Sequence, residues 1–198
     1  MAGFASLLLL SACSSTSTRP QQSTDSGTGT QQAAPVKLPR SYDKALVLMQ
    51  SDDYQAAIPL LQAFIEKKPQ LAGPYINLGI AYQNTGQAEA ALTALNKAVD
   101  LNPANAAAFQ QLGILYREQG KFDAALDAYN TALTLDTGYA LAHRNVGILY
   151  DLYLQQPALA LDHYRKYLEL SGTDDQTVSR WVVDLERRSG STQARAAQ

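Results

Sequence analysis

The sequence predicts an all-α fold, a solenoid of stacked helices, and two observations carry that prediction. The 198 residues include 31 Ala and 28 Leu against 7 Val and 6 Ile. Helices favour the first pair, and strands favour the β-branched second. The other observation is an internal repeat. The segments Tyr75 to Tyr82, Phe109 to Tyr116 and His143 to Tyr150 align without gaps. Gly79, Gly113 and Gly147 recur at one constant spacing, and Tyr82, Tyr116 and Tyr150 recur at the same one. A fixed period of roughly 34 residues marks units that stack, each burying its apolar face on its neighbours.

Composition excludes several classes of function. The formal net charge is −2 and the isoelectric point about 5.6, which argues against a broad phosphate-binding surface and hence against nucleic acid. A single Cys forms no intramolecular disulfide. Two His leave little room for a multi-His metal site. No metal and no cofactor is expected.

Taken in order, the chain begins with Met1 to Ala12, which carries no charged side chain. Its centre, an uncharged and mostly apolar run from Phe4 to Leu10 that includes Ser6, is too short to cross a bilayer as a helix. It suits the apolar region of a secretory signal. Leu10-Ser11-Ala12-Cys13 follows and resembles the bacterial lipobox. That resemblance implies a signal peptide over residues 1–12, cleavage before Cys13, and a diacylglycerol thioether and acylated amino group on Cys13. The pattern departs from such signals in having no Lys or Arg before the apolar run; an upstream start codon followed by Lys or Arg would supply it. The competing reading, a buried N-terminal helix, has nothing to pack against, because a polar tract follows. Positions 14–36 are mostly Ser, Thr, Gln, Gly and Pro, with too few apolar groups to offset the entropy of ordering. Residues 13–37 are therefore read as a lipidated Cys with a flexible tether, spanning roughly 25–30 Å. Ser14 and Ser15, where sorted lipoproteins retained on the inner membrane carry Asp, imply anchoring to the outer membrane, facing the periplasm.

The repeated segments resemble the tetratricopeptide repeat, a helix–turn–helix unit of about 34 residues, whose stacking implies a right-handed superhelix. With Ala72 and Ala106 as position 1, the family's slots fill in turn. Position 4 holds Tyr75 and Phe109, positions 7 and 8 Leu78-Gly79 and Leu112-Gly113, and position 20 Ala91 and Ala125. Position 24 holds Leu95 and Tyr129, position 27 Ala98 and Ala132, and position 32 Pro103 and Thr137. Four repeats are expected, at about 38–71, 72–105, 106–139 and 140–172. The fourth gains one residue between Asp151 and Pro157, after which Ala160, Tyr164 and Tyr167 take the late slots. The first is weaker, with Ala45 in the Gly slot and Ala57 at position 20. Small residues at positions 8 and 20 let the two helices approach closely, and bulky residues at 7, 11 and 24 fill the space around that contact. Pro103 ends a helix, Pro157 suits a first helical turn, and Pro59 falls inside a helix, where it removes a backbone bond or bends it. Residues 173–188 read as a capping helix: Thr173-Asp174-Asp175 supplies the N-cap, and Val178, Trp181, Val182 and Leu185 recur at helical spacing. Trp181 is read as core of that cap, and residues 189–198 as a disordered tail.

No HExxH, CxxC or Gly-rich phosphate loop is present. His143 takes an aromatic slot of its repeat and reads as a packed, hydrogen-bonded side chain, with His163 on the next helix. The carboxylate pairs Asp52-Asp53 and Asp174-Asp175 precede helices, where capping explains them. The chain is not expected to be an enzyme.

By resemblance, the first helix of each repeat lines a concave groove. Position 9 of that groove reads Leu46, Ile80, Ile114 and Ile148, an aliphatic ladder where many family members carry Asn to clamp a peptide carboxylate. Position 6 adds Asn77, Gln111 and Asn145, position 5 Tyr42, Ile76, Gln110 and Arg144, and position 12 Gln83 and Arg117. The ladder either grips the apolar side chains of a partner segment or is covered, by the segment around Val36 and Leu38 or by a second protomer in a homo-oligomer. The expected function is a lipid-anchored periplasmic scaffold, held to the membrane through Cys13 and binding a protein partner in the groove. By family resemblance such partners include secretin and pilus assembly proteins, or cell-wall enzymes. Two alternatives stand beside it. One is a pilotin-like lipoprotein assisting outer-membrane secretin or type IV pilus assembly. The other is a cytoplasmic co-chaperone or adaptor, should the signal remain uncleaved.

Overall fold

A computed structural model describes residues 40–196, with side chains as far as residue 188. The expected signal peptide, Cys13 and the tether lie outside the described residues. Helices α1 (Arg40–Gln50) and α2 (Tyr54–Lys67) form one antiparallel pair. The next two are α3 (Ala72–Asn84) with α4 (Ala88–Leu101), and α5 (Ala106–Glu118) with α6 (Phe122–Leu135). A fourth pair joins α7 (Ala140–Ile148), prolonged by a π turn at Leu149–Tyr153, to α8 (Pro157–Ser171), and α9 (Gln176–Ala196) follows. Strands are absent among the described residues. Each helix packs on the next along the chain, and the first helices of adjacent pairs also touch, as α3 does α5. This is the nearest-neighbour architecture of a solenoid.

The core is a series of apolar clusters strung along the stack. One joins Leu61 and Phe64 of α2 to Leu78 and Ala81 of α3, and the next joins Leu95 and Ala98 of α4 to Ala108 and Leu112 of α5. A third links Tyr129 of α6 to Val146 of α7, and a fourth links Tyr164 of α8 to Val178 and Leu185 of α9. Within each of the later pairs the helices meet at the glycine of the first helix. A Cβ on Gly79 would stand 2.7 Å from Leu95 Cγ, and one on Gly147 2.5 Å from Tyr164 Cδ1. At Gly113 it would strike the fully buried Tyr129 ring. Adding a methyl group against a ring held on every side costs about 1–3 kcal/mol.

Capping follows the sequence reading. Asp53 Oδ1 accepts from Ala56 N at 3.2 Å, and Asn105 Oδ1 from Ala107 N at 3.1 Å. Asp175 Oδ1 accepts from Thr177 N and Val178 N at 3.0 and 3.1 Å. These bonds and the Tyr167 hydroxyl hold its carboxyl below the usual range. Pro157 opens α8, and α2 continues through Pro59. The final helix departs from expectation. It runs to Ala196 rather than ending at 188, through the stretch expected to be disordered. Extending a docked helix needs no new nucleus, and no Pro interrupts residues 176–196.

The turns explain where the extra residue of the fourth repeat went. Asp52, Gly86, Gly120 and Gln155 all have positive φ, from +52° to +75°. They occupy the same place in successive pairs. After each, a backbone N–H reaches back to the first helix: Asp53 to Leu48 O, Gln87 to Tyr82 O and Lys121 to Tyr116 O, at 2.8–2.9 Å. These are left-handed C-terminal caps. In the fourth pair the equivalent bond, Gln156 N to Tyr150 O at 2.9 Å, spans one residue more. The π turn absorbs that residue, with Leu154 N donating to Leu149 O at 3.0 Å. The turn geometry is thus preserved, while Leu152 and Tyr153 are pushed outward and exposed. Gln155 carries the left-handed penalty that Gly86 and Gly120 avoid, so Gln155→Gly is expected to stabilise the protein by about 1 kcal/mol. A urea unfolding curve checks this: the midpoint rises at unchanged slope, and an unchanged or lower midpoint contradicts the strain.

Candidate partner-binding face

The inner face is built by α1, α3, α5 and α7. Leu46, Ile80, Ile114 and Ile148 recur on it, one per repeat, and all four are half-buried. Each packs its inner part against a core cluster, so the ladder is an apolar floor rather than a row of free side chains.

Four residues expected on the groove surface are instead buried: Tyr42, Ile76, Gln110 and Asn145. In the first two repeats position 5 faces the following repeat. Tyr42 joins the cluster with Leu78 and Ala81, its ring 4.5 Å from that of Phe64, and Ile76 joins the cluster with Ala108 and Leu112. These side chains close the joint between repeats and are not free to meet a ligand. Asn77, half-buried, donates to the Tyr42 hydroxyl at 2.7 Å, so this amide also bridges two repeats. Gln83 Nε2 donates to Glu118 Oε2 at 2.7 Å, tying α3 to α5 along the same face. Gln111 is half-buried.

The Arg117 guanidinium sits 6.0 Å from the Tyr153 ring centre and that of Arg144 5.9 Å from Tyr167, cation–π contacts that hold charge in the last two repeats. Their Nε atoms and Gln110 Oε1 are buried without a hydrogen-bond partner in the chain. Burial pushes the Tyr129 phenol up to about 12, although the Arg117 guanidinium beside it pulls the other way.

Beyond Ile148 the ladder opens into a cleft of about 320 Å³ lined by Ile148, Asp151, Leu152, Tyr164, Trp181, Asp184 and Arg188. Its floor is the Tyr164–Trp181 contact, rings 5.4 Å apart, and Arg188 bridges Asp151 at 3.2 Å and Asp184 at 2.8 Å. Sequence reasoning placed Trp181 in the core alone. The signal for the cleft was the inserted residue, because the π turn is what brings Asp151 and Leu152 to its rim. A second cleft, about 500 Å³, lies between α3 and α4 and is lined by Tyr75, Leu78, Tyr82, Ala94 and Lys97.

The carboxylates weighed for chemistry have structural partners. Asp53 and Asp175 serve as caps, and Asp52 accepts from the Tyr54 hydroxyl at 3.0 Å. Among the described residues no three His, Cys, Asp or Glu side chains gather for a metal ion, and no helix is long and apolar enough to cross a membrane.

A stack of helix pairs with this glycine contact defines the class of protein. Residues 70–138 and 111–175 match family models of the tetratricopeptide repeat, together more than half of the chain. The chain belongs to the tetratricopeptide repeat family, whose members are generally non-catalytic scaffolds that bind other proteins. No curated protein matches the chain. Three solved structures illustrate the shared fold. The pilF protein of Pseudomonas aeruginosa is 22% identical with a TM-score of 0.69, over 76% of this chain and 68% of that one. A thermophilic repeat protein of Thermus thermophilus, TTC0263, is 25% identical with a TM-score of 0.62, over 78% and 80%. YrrB, described as having an unusual peptide-binding site, is 24% identical with a TM-score of 0.58, over 71% of each chain.

Proposed function

We propose that this protein is a lipid-anchored adaptor that holds a partner's segment along its inner face. The observation that carries the reading is the half-buried ladder of Leu46, Ile80, Ile114 and Ile148, bordered at its C-terminal half by Arg117 and Arg144. Apolar side chains of an extended or helical segment lie on the rungs, while its carbonyl or carboxylate oxygens meet the two guanidinium groups. The four buried residues Tyr42, Ile76, Gln110 and Asn145 set the spacing of the rungs without touching the segment.

Anchoring rests on Leu10-Ser11-Ala12-Cys13 and the tether after it. Lipid on Cys13 places the adaptor on the periplasmic side of a bacterial outer membrane. A tether spanning roughly 25–30 Å then confines its search to a shell along that membrane and raises the effective concentration of any partner there. A second, narrower reading is a pilotin-like lipoprotein serving an outer-membrane secretin or a type IV pilus; a lipobox followed, after the tether, by such repeats favours it.

Two experiments test these steps separately. Replacing Ile80, Ile114 and Ile148 together by Ala is expected to reduce cross-linked partner recovered from intact cells at least tenfold, with the helical circular dichroism retained. Unchanged recovery from the folded variant removes the ladder from the binding face. Mass spectrometry of the mature N-terminus is expected to find acylated Cys13. An intact, unacylated Met1 overturns the anchor and leaves a cytoplasmic adaptor.

A further inference from the structure

The fourth repeat differs from its neighbours at one contact. Positions 4 and 23 face each other across a helix pair. They hold Tyr75 and Ala94 in the second repeat, where both line one cleft, and Phe109 and Ala128 in the third, where both share one cluster. In the fourth repeat, allowing for the inserted residue, they hold His143 and His163. An aromatic ring over a methyl group has been replaced on both sides at once, by the only two histidines in the chain.

The pair is closely set. His143 Nδ1 and His163 Nδ1 are 3.0 Å apart, with ring centroids 5.1 Å apart and 39° between planes. His143 Nε2 faces the Thr137 carbonyl at 3.4 Å, and the Tyr150 ring lies 5.8 Å from that of His163. Both side chains are half-buried. Burial pushes the pKa of each down, and His163 is lowered further by its neighbour. The Thr137 carbonyl can only accept, so it favours the tautomer with the proton on His143 Nε2; that tautomer leaves a lone pair on His143 Nδ1 and makes His163 Nδ1–H the donor between the rings.

We propose that His143 and His163 form a binding site for a late first-row divalent cation such as Zn²⁺, each ring contributing its Nδ1 lone pair. Two imidazole nitrogens bound at about 2.0–2.1 Å with a tetrahedral angle stand about 3.3 Å apart, so the rings need to part by only a few tenths of an ångström. The Thr137 carbonyl is an outer partner of the kind that fixes the tautomer and aim of a ligating His. On binding, the proton of His163 Nδ1 passes through solvent to its Nε2, with no net release. Around the site, the carboxylates of Asp162 and Glu169 favour a cation, and Lys166, which opposes one, is paired with Glu169 at 2.9 Å. The remaining coordination positions are taken by water, which makes the ion exchangeable. A bound ion links α7 to α8, the pair on which the capping helix rests.

The test uses the full chain, prepared without a histidine tag and stripped with chelator, titrated with ZnCl₂. Calorimetry is expected to show saturable binding of one ion, and nitrogen NMR to show both imidazole Nδ1 signals moving together. The double variant His143→Tyr/His163→Ala restores the Tyr75–Ala94 pairing, so it is expected to keep the wild-type circular dichroism while binding Zn²⁺ at least tenfold more weakly. Absence of saturable binding to the wild type, movement of one imidazole alone, or equal affinity in the folded double variant overturns the site.

Discussion

Everything in this fold depends on how closely two helices of one repeat approach. Gly79, Gly113 and Gly147 each present bare backbone to a bulky side chain, Leu95, Tyr129 and Tyr164 respectively. Those three side chains are fully buried, so the contact is closed on every side. The first repeat makes the same approach with Ala45 in place of glycine, and both Ala45 and Leu61 are fully buried. Once this distance is set, the second helix of each pair offers a defined surface to the first helix of the next. Curvature then accumulates repeat by repeat, because each pair packs mainly on its neighbours in the chain.

The same constraint decides which surface is left for a partner. In the first two repeats the side chain at position 5, Tyr42 or Ile76, turns into the joint with the next repeat, and Gln110 in the third is buried as well. Position 9 lies one helical turn further on and stays half in the core and half out. The resulting surface is shallow and largely apolar, with charge at Glu118, which Gln83 binds, and at Arg117 and Arg144, which lie near tyrosine rings. The C-terminal end is modified most. A single inserted residue there becomes a π turn, as such insertions often do near functional sites, and opens a cleft that Trp181 and Arg188 of the cap complete.

Much of this was legible in the sequence because a strict period makes each repeat a control for the others. Glycine and tyrosine recurring at one fixed spacing announced the helix contact, and Asp53, Asp175, Pro103 and Pro157 announced the helix ends. What was not legible depends on direction and on pairing. Whether Tyr42 or Ile76 faces a ligand or the next repeat follows from the angle between neighbouring repeats, which no single repeat encodes. The pairing of His143 with His163 was hidden by the insertion, which shifts the second histidine out of the register that aligns it with Ala94 and Ala128. The length of α9 was missed because its last residues carry no apolar stripe, and helix propagation alone extends it.

The central claim is that partners dock on the inner face of the stack. A photo-cross-linking residue placed in turn at Gln83 and Gln111, on the inner helices, and at Thr93 and Asp127, on the second helices, tests it most directly in intact cells. Adducts with the same protein from Gln83 and Gln111, and none from Thr93 and Asp127, are the predicted result. Adducts from Thr93 and Asp127 alone would place the partner on the opposite face and contradict the account.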